Sequence, residues 1–224
     1  MSYIGDTYKN IKKDLINNLE VLFIGTPCQV SGLKSFLMKD YKNLLTIDLI
    51  CHGVPSQIYL DEYIKSLNLL EKPDNLTFRG VNDYFFTLYK NNQTIYSQNS
   101  NNDKFYKAFS SGLFCRENCY SCEYATIERV GDITIGDFWG LGKTIPFNHD
   151  TKNGVSVALI NTNNGIKNFS EIKNKIFFEE RPLEEAVAGN DQLRHPTLKH
   201  SKHDLFMNLY LEKGFKIALE KTLI

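Results

Sequence analysis

The spacing of apolar residues predicts that the chain begins as an α/β structure. Residues 6–18 carry apolar side chains at helical spacing, and the continuous apolar run at 21–24 is typical of a buried parallel strand. A helix is expected from 26 to about 38, and the next strand over 44–50. Strand, helix and strand in direct succession indicate a right-handed βαβ crossover with parallel strands.

The remainder of the chain has a more mixed pattern. Short aromatic and β-branched runs separated by Asn, Asp and Gly predict an antiparallel meander with strands over 76–79, 84–90 and 94–97. Further strands are expected over 133–135, 155–161 and 176–179, helices over 58–70, 104–112 and 165–173, and one amphipathic helix over 204–221. The predicted fold class is α/β, with a parallel βαβ core, an added antiparallel β meander and a C-terminal helix. We expect a single domain over residues 1–224.

Composition and charge exclude several classes of protein. The 224 residues include 26 Lys and Arg and 26 Asp and Glu, so the formal net charge is zero. The chain therefore lacks the excess of positive charge that is typical of nucleic-acid-binding proteins. No run approaches the ~18 apolar residues of a membrane span, and the N-terminal stretch lacks the apolar core of a signal peptide. We therefore expect a cytoplasmic protein that neither inserts into membranes nor binds nucleic acid. The histidines in polar stretches are expected to be solvated: His149, His195, His200 and His203.

Four of the five cysteines are predicted to converge. Cys28 begins a helix directly after the first strand, and Cys51 directly follows the second strand. Because neighbouring parallel strands end at the same sheet edge, both thiols belong to that edge. Cys119 and Cys122 form a C-x-x-C loop, with Cys115 just upstream. Four such thiolates indicate a metal site, an iron–sulfur site or a thiol redox centre, and a reducing compartment favours these over structural disulfides.

The same sheet edge is predicted to bind a second cofactor or a partner. Glycines there allow close backbone approach, while an Asp and the single Trp could offer a hydrogen bond and an aromatic wall. The predicted cofactor-binding residues are Thr26, Gln29, His52, Gly53, Asp137 and Trp139. No catalytic residue is assigned from the sequence.

Longer strings of residues carry a resemblance to a known family. The segments VLFIGTPCQVSGLKSFL, LLTIDLICHGVPS, CRENCYSCEYATIERVGDITIGDFWG and GVSVALINT occur in this order. Together they resemble the C-terminal part of the coenzyme F420 hydrogenase/dehydrogenase beta-subunit family of iron–sulfur flavoproteins. The sequence begins at MSYIGDTYK and contains no C-x-x-C-x-x-C run. We therefore expect it to lack the ferredoxin-like and glycine-rich segments with which related bacterial chains usually begin.

The resemblance implies specific cofactors and partners. It places the ligands of one 4Fe-4S cluster at Cys28, Cys51, Cys119 and Cys122, and it implies FAD, coenzyme F420 or another deazaflavin, and a redox partner protein or subunit. The expected function is an iron–sulfur oxidoreductase domain that passes electrons to or from a flavin, a deazaflavin or that partner.

Two other functions compete with this expectation. The first is a zinc-stabilised, non-catalytic module that docks onto a redox partner, because a C-x-x-C loop also suits zinc. The second comes from the P-C-Q tripeptide at 27–29, which resembles the loop of DNA cytosine methyltransferases. The glycine-rich adenosylmethionine loop and the E-N-V motif of those enzymes are absent from the sequence, which argues against that function.

Overall fold

The computed structural model describes residues 3–80 and 83–223. Its strands are β1 (Val21–Gly25), β2 (Leu44–Leu49), β3 (Asn75–Thr77), β4 (Phe85–Lys90), β5 (Gln93–Asn99), β6 (Ile133–Asp137) and β7 (Ser156–Ile160). Its α-helices are α1 (Thr7–Ile16), α2 (Pro27–Leu37), α3 (Gln57–Ser66), α4 (Lys104–Ser110), α5 (Glu117–Tyr120), α6 (Asn163–Ile172), α7 (Leu183–Gly189), α8 (His203–Lys213) and α9 (Phe215–Thr222). Short 3₁₀ turns occupy Lys173–Lys175 and Asp191–Leu193.

The chain forms two compact units, each built from two separate stretches of sequence. The first unit comprises Met1–Cys51 and Cys122–Pro196, and the second comprises His52–Ser121 and Thr197–Ile224. The chain therefore crosses between units directly after Cys51, again directly before Cys122, and a third time after Pro196. The assignment of one family domain to the whole of residues 1–224 stays a prediction.

The first unit contains the predicted βαβ crossover. Its sheet has the order β1-β2-β6-β7, with β1, β2 and β6 parallel and β7 antiparallel to β6. Thr26 is the N-cap of α2 and Pro27 is its first residue, because the fixed φ of proline suits a helix start. The core between the sheet and α1 and α2 contains the buried side chains Ile11, Leu15, Phe23, Val30, Leu33, Leu37 and Leu44.

The second unit contains the predicted antiparallel meander. Its sheet has the order β3-β4-β5, with both pairs antiparallel. The core of this unit is aromatic, and its buried phenylalanine rings are Phe86, Phe105, Phe114, Phe206 and Phe215. Because each such ring buries a large apolar area, these five residues bind helices α4, α8 and α9 to the meander.

Two predicted elements differ in the structure. Residues 176–179 do not form a strand: Ile176 has extended backbone angles, but within the described part of the chain this run pairs with no strand, and Phe177 is 72% exposed. A run of β-branched and aromatic residues favours a strand, but a strand forms only where a neighbouring strand can make hydrogen bonds with its backbone. The predicted C-terminal helix is two helices, α8 and α9, because Gly214 adopts φ +81°, a left-handed value that interrupts an α-helix.

In residues 3–80 and 83–223, no helix combines the length and the apolar character needed to cross a membrane.

Candidate functional site

Cys28 lies in the first turn of α2 and is exposed. The side-chain oxygen of Gln29 accepts a hydrogen bond from the Thr26 backbone N–H at 3.1 Å, which fixes the helix start. The Thr26 hydroxyl lies 3.2 Å from the Cys28 sulfur. Thr26 and Gln29 thus shape the turn that presents this thiol, and their assignment to cofactor binding stays a prediction.

The strand that precedes Cys51 ends in a buried ion pair. Asp48 is fully buried, and its Oδ1 accepts a hydrogen bond from Nη2 of Arg129 at 3.0 Å. The same guanidinium donates to the carbonyl of Leu49 at 2.9 Å and to the carbonyl of Tyr124 at 2.7 Å. A buried pair needs such additional hydrogen bonds to offset the cost of removing two charges from water. Arg129 therefore joins the end of β2, just before Cys51, to the segment that follows Cys122.

A second bond connects the segment after Cys122 to α2. The Tyr124 hydroxyl donates to Ser31 Oγ at 3.0 Å. Ser31 is three residues after Cys28, so both lie on one face of the helix. The segments that carry Cys28, Cys51 and Cys122 are consequently linked within the first unit.

Cys119 belongs to the second unit, on the one-turn helix α5, with Cys115 buried just before it. Gly53 packs against both cysteines at φ +120°, a backbone conformation that other residues rarely adopt. A Cβ atom at residue 53 would lie 3.1 Å from Cys115 Sγ and 3.4 Å from Cys119 Cβ. The glycine predicted to allow close approach of a cofactor therefore allows close approach of these two cysteines.

His52 is fixed on two sides in the second unit. The Thr197 hydroxyl donates a hydrogen bond to the His52 carbonyl oxygen. The imidazole ring meets Phe109 edge-on, with 5.2 Å between the ring centroids. A role for His52 in binding a cofactor stays a prediction.

Helix α5 is held by a polar cluster that the sequence did not reveal. His203, expected to be solvated, is buried, and its Nε2 lies 2.9 Å from Glu117 while its Nδ1 lies 2.8 Å from the Leu113 carbonyl oxygen. Lys199 lies 3.1 Å from the second oxygen of Glu117, and its hydrogen bond is the main cause that lowers the pKa of that carboxyl. Tyr120 donates to the Gly112 carbonyl at 2.7 Å, and burial raises the pKa of its phenol. His203 is far from the cysteine loop in the sequence, so no nearby sequence motif predicts its contact with Glu117.

The segment that follows β6 contains Asp137 and Trp139. The backbone N–H of Trp139 donates to the Asp137 carbonyl at 3.0 Å, and the Trp139 side chain is half-exposed. Gly189, at the end of α7, packs so closely that a Cβ there would lie 1.6 Å from the Trp139 carbonyl oxygen. The backbone of this turn is therefore fixed against α7, while the assignment of Asp137 and Trp139 to a cofactor stays a prediction.

The cysteines have the type of donor atom that the predicted cluster requires. All five are thiols rather than halves of a disulfide, and the buried one is Cys115. Four thiolates are the usual ligands of a 4Fe-4S cluster and also of structural zinc. Within the part of the chain that the structure describes, no three His, Cys, Asp or Glu side chains are gathered closely enough to hold a metal ion.

The comparisons with known proteins show the family of the chain. No curated protein matches the chain. The family model for the C terminus of the beta subunit of coenzyme F420 hydrogenase/dehydrogenase matches residues 19–186. This match covers β1, β2, β6 and β7, and all five cysteines. The chain is thus related to oxidoreductase subunits, and it belongs to the family of coenzyme F420 hydrogenase/dehydrogenase beta subunits, in the part that forms their C terminus.

Proposed function

We propose that the chain is an electron-transfer domain that carries one 4Fe-4S cluster on Cys28, Cys51, Cys119 and Cys122. The observation that carries this proposal is the pair of links made by the segment after Cys122. Tyr124 binds it to the helix of Cys28, and Arg129 binds it to the strand end before Cys51. Cys119 joins the set because only two residues separate it from Cys122.

The protein would bind and adjust the cluster, which itself supplies one-electron transfer. Cys28 lies in the first turn of α2, where the positive end of the helix dipole stabilises an anionic sulfur. Hydrogen bonds to thiolate sulfurs raise reduction potentials, and the Thr26 hydroxyl lies within reach of Cys28. Electrons would pass to or from FAD, coenzyme F420 or a redox partner subunit, in keeping with the family.

Cysteine variants and metal analysis test the ligand set. Purified anaerobically, the protein should contain about four iron atoms and four sulfides per chain, the content of one 4Fe-4S cluster. Cys119→Ser should lose most of this iron, and Cys115→Ser is the matched control that should retain it. Stoichiometric zinc without iron would instead identify a structural zinc module, and equal iron in both variants would overturn the assignment of Cys119.

A separate titration tests the flavin. FAD added to the wild type should show saturable binding, and Trp139→Ala and Asp137→Asn should weaken it if these residues contact the isoalloxazine ring. Equal affinity in all three proteins would place the flavin elsewhere, while leaving the cluster proposal intact.

A further inference from the structure

An apolar groove runs along β7 in the first unit. It has a volume of about 790 Å³ and lies between the strand and residues 176–183. Its lining includes the side chains of Phe138, Ile166, Phe177 and Phe178. Ile166 and Phe177 remain 55% and 72% exposed, so the groove presents a large apolar surface to solvent. None of the five cysteines lines it.

The backbone of β7 faces this groove with one edge. The N–H of Phe138 donates to the Val155 carbonyl, and the N–H of Asn161 donates to the Asp132 carbonyl. Because an antiparallel strand bonds its neighbour at every second residue, Val157 and Leu159 also bond β6. The intervening residues, Ser156, Ala158 and Ile160, point their N–H and C=O groups the other way. Since β7 is the last strand of its sheet, these groups lie on the free edge of the sheet, and the same three residues are among those that line the groove.

This edge lacks the usual protection against pairing. Natural edge strands are commonly blocked by a proline, an inward-pointing charge or a bulge. The sequence of β7, SVALI, has neither proline nor charge, and its register with β6 is regular throughout. The run at 176–179, which also lines the groove, would be the natural cover, but it forms no strand and does not pair with β7.

The charges around the groove are predominantly negative. Asp150, Glu179 and Glu180 line it, and Arg181 is the only lysine or arginine among its described lining residues. The Arg181 guanidinium is already bound to both carboxylate oxygens of Glu185, at 2.8 and 2.9 Å, and also to Glu179. A ligand in the groove would therefore lie near an excess of carboxylates, and a positive charge on the ligand would strengthen its binding.

We propose that β7 receives an extended peptide segment of a partner protein as an added strand, with alternating apolar side chains and at least one lysine or arginine. Aligned outward backbone groups at strand spacing complement another strand, because each N–H and C=O then finds a partner. A planar small ligand in the groove would leave most of those groups unbonded. The cluster plays no part in this binding.

A synthetic peptide tests the proposal. The probe is a fluorescent seven-residue peptide of alternating valine and threonine with lysine at both ends, and its binding is measured by anisotropy. Wild-type protein should bind it, with and without iron. Two control peptides should bind at least about ten-fold more weakly. The peptide with N-methylated valines lacks backbone N–H groups for strand pairing, and the peptide with glutamate at both ends lacks the positive charge.

Protein variants separate backbone pairing from other contacts. Ala158→Pro removes an N–H that does not bond β6, and proline is tolerated at such edge positions. It should weaken peptide binding by about ten-fold or more, whereas the control Ala158→Ser, which keeps the N–H, should change it less than about two-fold. Circular dichroism checks folding. Should Ala158→Pro fail to fold, Phe177→Ser, at an exposed groove residue, should still weaken binding several-fold.

Four results would overturn the proposal. These are no binding by the wild type, unchanged binding by Ala158→Pro in the folded state, and unchanged binding by Phe177→Ser. The fourth is a wild-type dimer in analytical ultracentrifugation that Ala158→Pro dissociates, because a second copy of the chain would then occupy the edge. Iron content is measured in the same samples, so failure of the cluster assignment and failure of this inference are distinguished.

Discussion

The hydroxyl of Tyr124 binds Ser31 across a separation of 93 residues in the sequence. Each partner lies close to a predicted cluster ligand, Tyr124 two residues after Cys122 and Ser31 three residues after Cys28. One hydrogen bond thus links two parts of the chain that only the fold brings together.

Tyr124→Phe should cost about 0.5–1.5 kcal/mol of unfolding free energy, the usual contribution of one hydrogen bond. Ser31→Ala should cost a similar amount, and the double variant should lose little more than either single variant. Urea denaturation of the four proteins measures this coupling. Fully additive losses would mean that the two side chains do not interact in solution.

Arg129→Ala should be far more damaging than a change at an exposed ion pair. It leaves the fully buried carboxylate of Asp48 without its cation, which typically costs about 3–5 kcal/mol. Arg194→Ala, which breaks the exposed pair with Asp191, is the control and should cost about 0–1 kcal/mol. Denaturation midpoints compare the two, and limited proteolysis should show faster cleavage after Cys122 only in Arg129→Ala. Similar losses in both variants would contradict the structural role of Arg129.

Gly53→Ala tests the packing beneath the cysteine loop. Both Gly53 and Gly214 have positive φ, so alanine strains the backbone at either position by about 1–3 kcal/mol. At Gly214 the new methyl group would meet nothing within 4 Å, whereas at Gly53 it would press on Cys115 Sγ. Gly53→Ala should therefore be less stable than Gly214→Ala by a further ~1–3 kcal/mol, as for overpacked sites. Equal thermal midpoints would show that Cys115 can move aside.

Asp132 makes the first unit sensitive to acid. Burial alone would raise the pKa of the Asp132 carboxyl. The carboxylate, however, accepts hydrogen bonds from the hydroxyl of Thr162 and from the N–H and hydroxyl of Thr46. These bonds outweigh the effect of burial and lower the pKa below its ordinary value of 3.8. A carboxyl with a lowered folded-state pKa contributes stability that is fully present above its unfolded pKa and is lost as the pH falls through the folded one. The stabilising contribution of Asp132 should thus decline below about pH 4.

The variant Asp132→Asn isolates this effect. Its loss of stability relative to the wild type should be largest near pH 7 and should shrink as the pH falls toward 2, because protonation already weakens the wild type there. Urea denaturation along a pH series measures it. Asp6→Asn, at an exposed carboxylate paired with Lys9, is the control and should differ little from the wild type throughout. A pH-independent difference for Asp132→Asn would contradict the prediction.

The local chemistry of the chain was sufficient to predict the first βαβ crossover and the meander. Thr26 and Pro27 mark a helix start by their own conformational preferences, and the continuous apolar runs before them and after them suit buried parallel strands. Gly214 carried a usable signal as well, since a glycine between two apolar stretches often ends a helix.

The missed features depend on partners that are distant in sequence. Residues 176–179 have strand-like composition, but pairing is decided by what lies beside them in the fold. The pairs Arg129 with Asp48 and His203 with Glu117 join residues more than eighty positions apart in the sequence. Charged residues are usually exposed, so the residues next to each of these in the sequence give no sign that the pair is buried. The ligand set that the family resemblance implies, Cys28, Cys51, Cys119 and Cys122, stays a prediction.

The interleaving of the two units has a consequence for protein synthesis. Ile47 of β2 pairs with Ile133 of β6, so the sheet of the first unit cannot be completed until the ribosome has made the 52–121 stretch of the second. That stretch in turn lacks Phe206 and Phe215 of its aromatic core until α8 and α9 have been made. Contacts between distant residues form slowly, and domains that emerge complete fold first. On the ribosome, β1, α2 and β2 can assemble early. The nascent second unit remains incomplete, with its phenylalanines exposed, until α8 and α9 have emerged. A chaperone would be most useful during this interval.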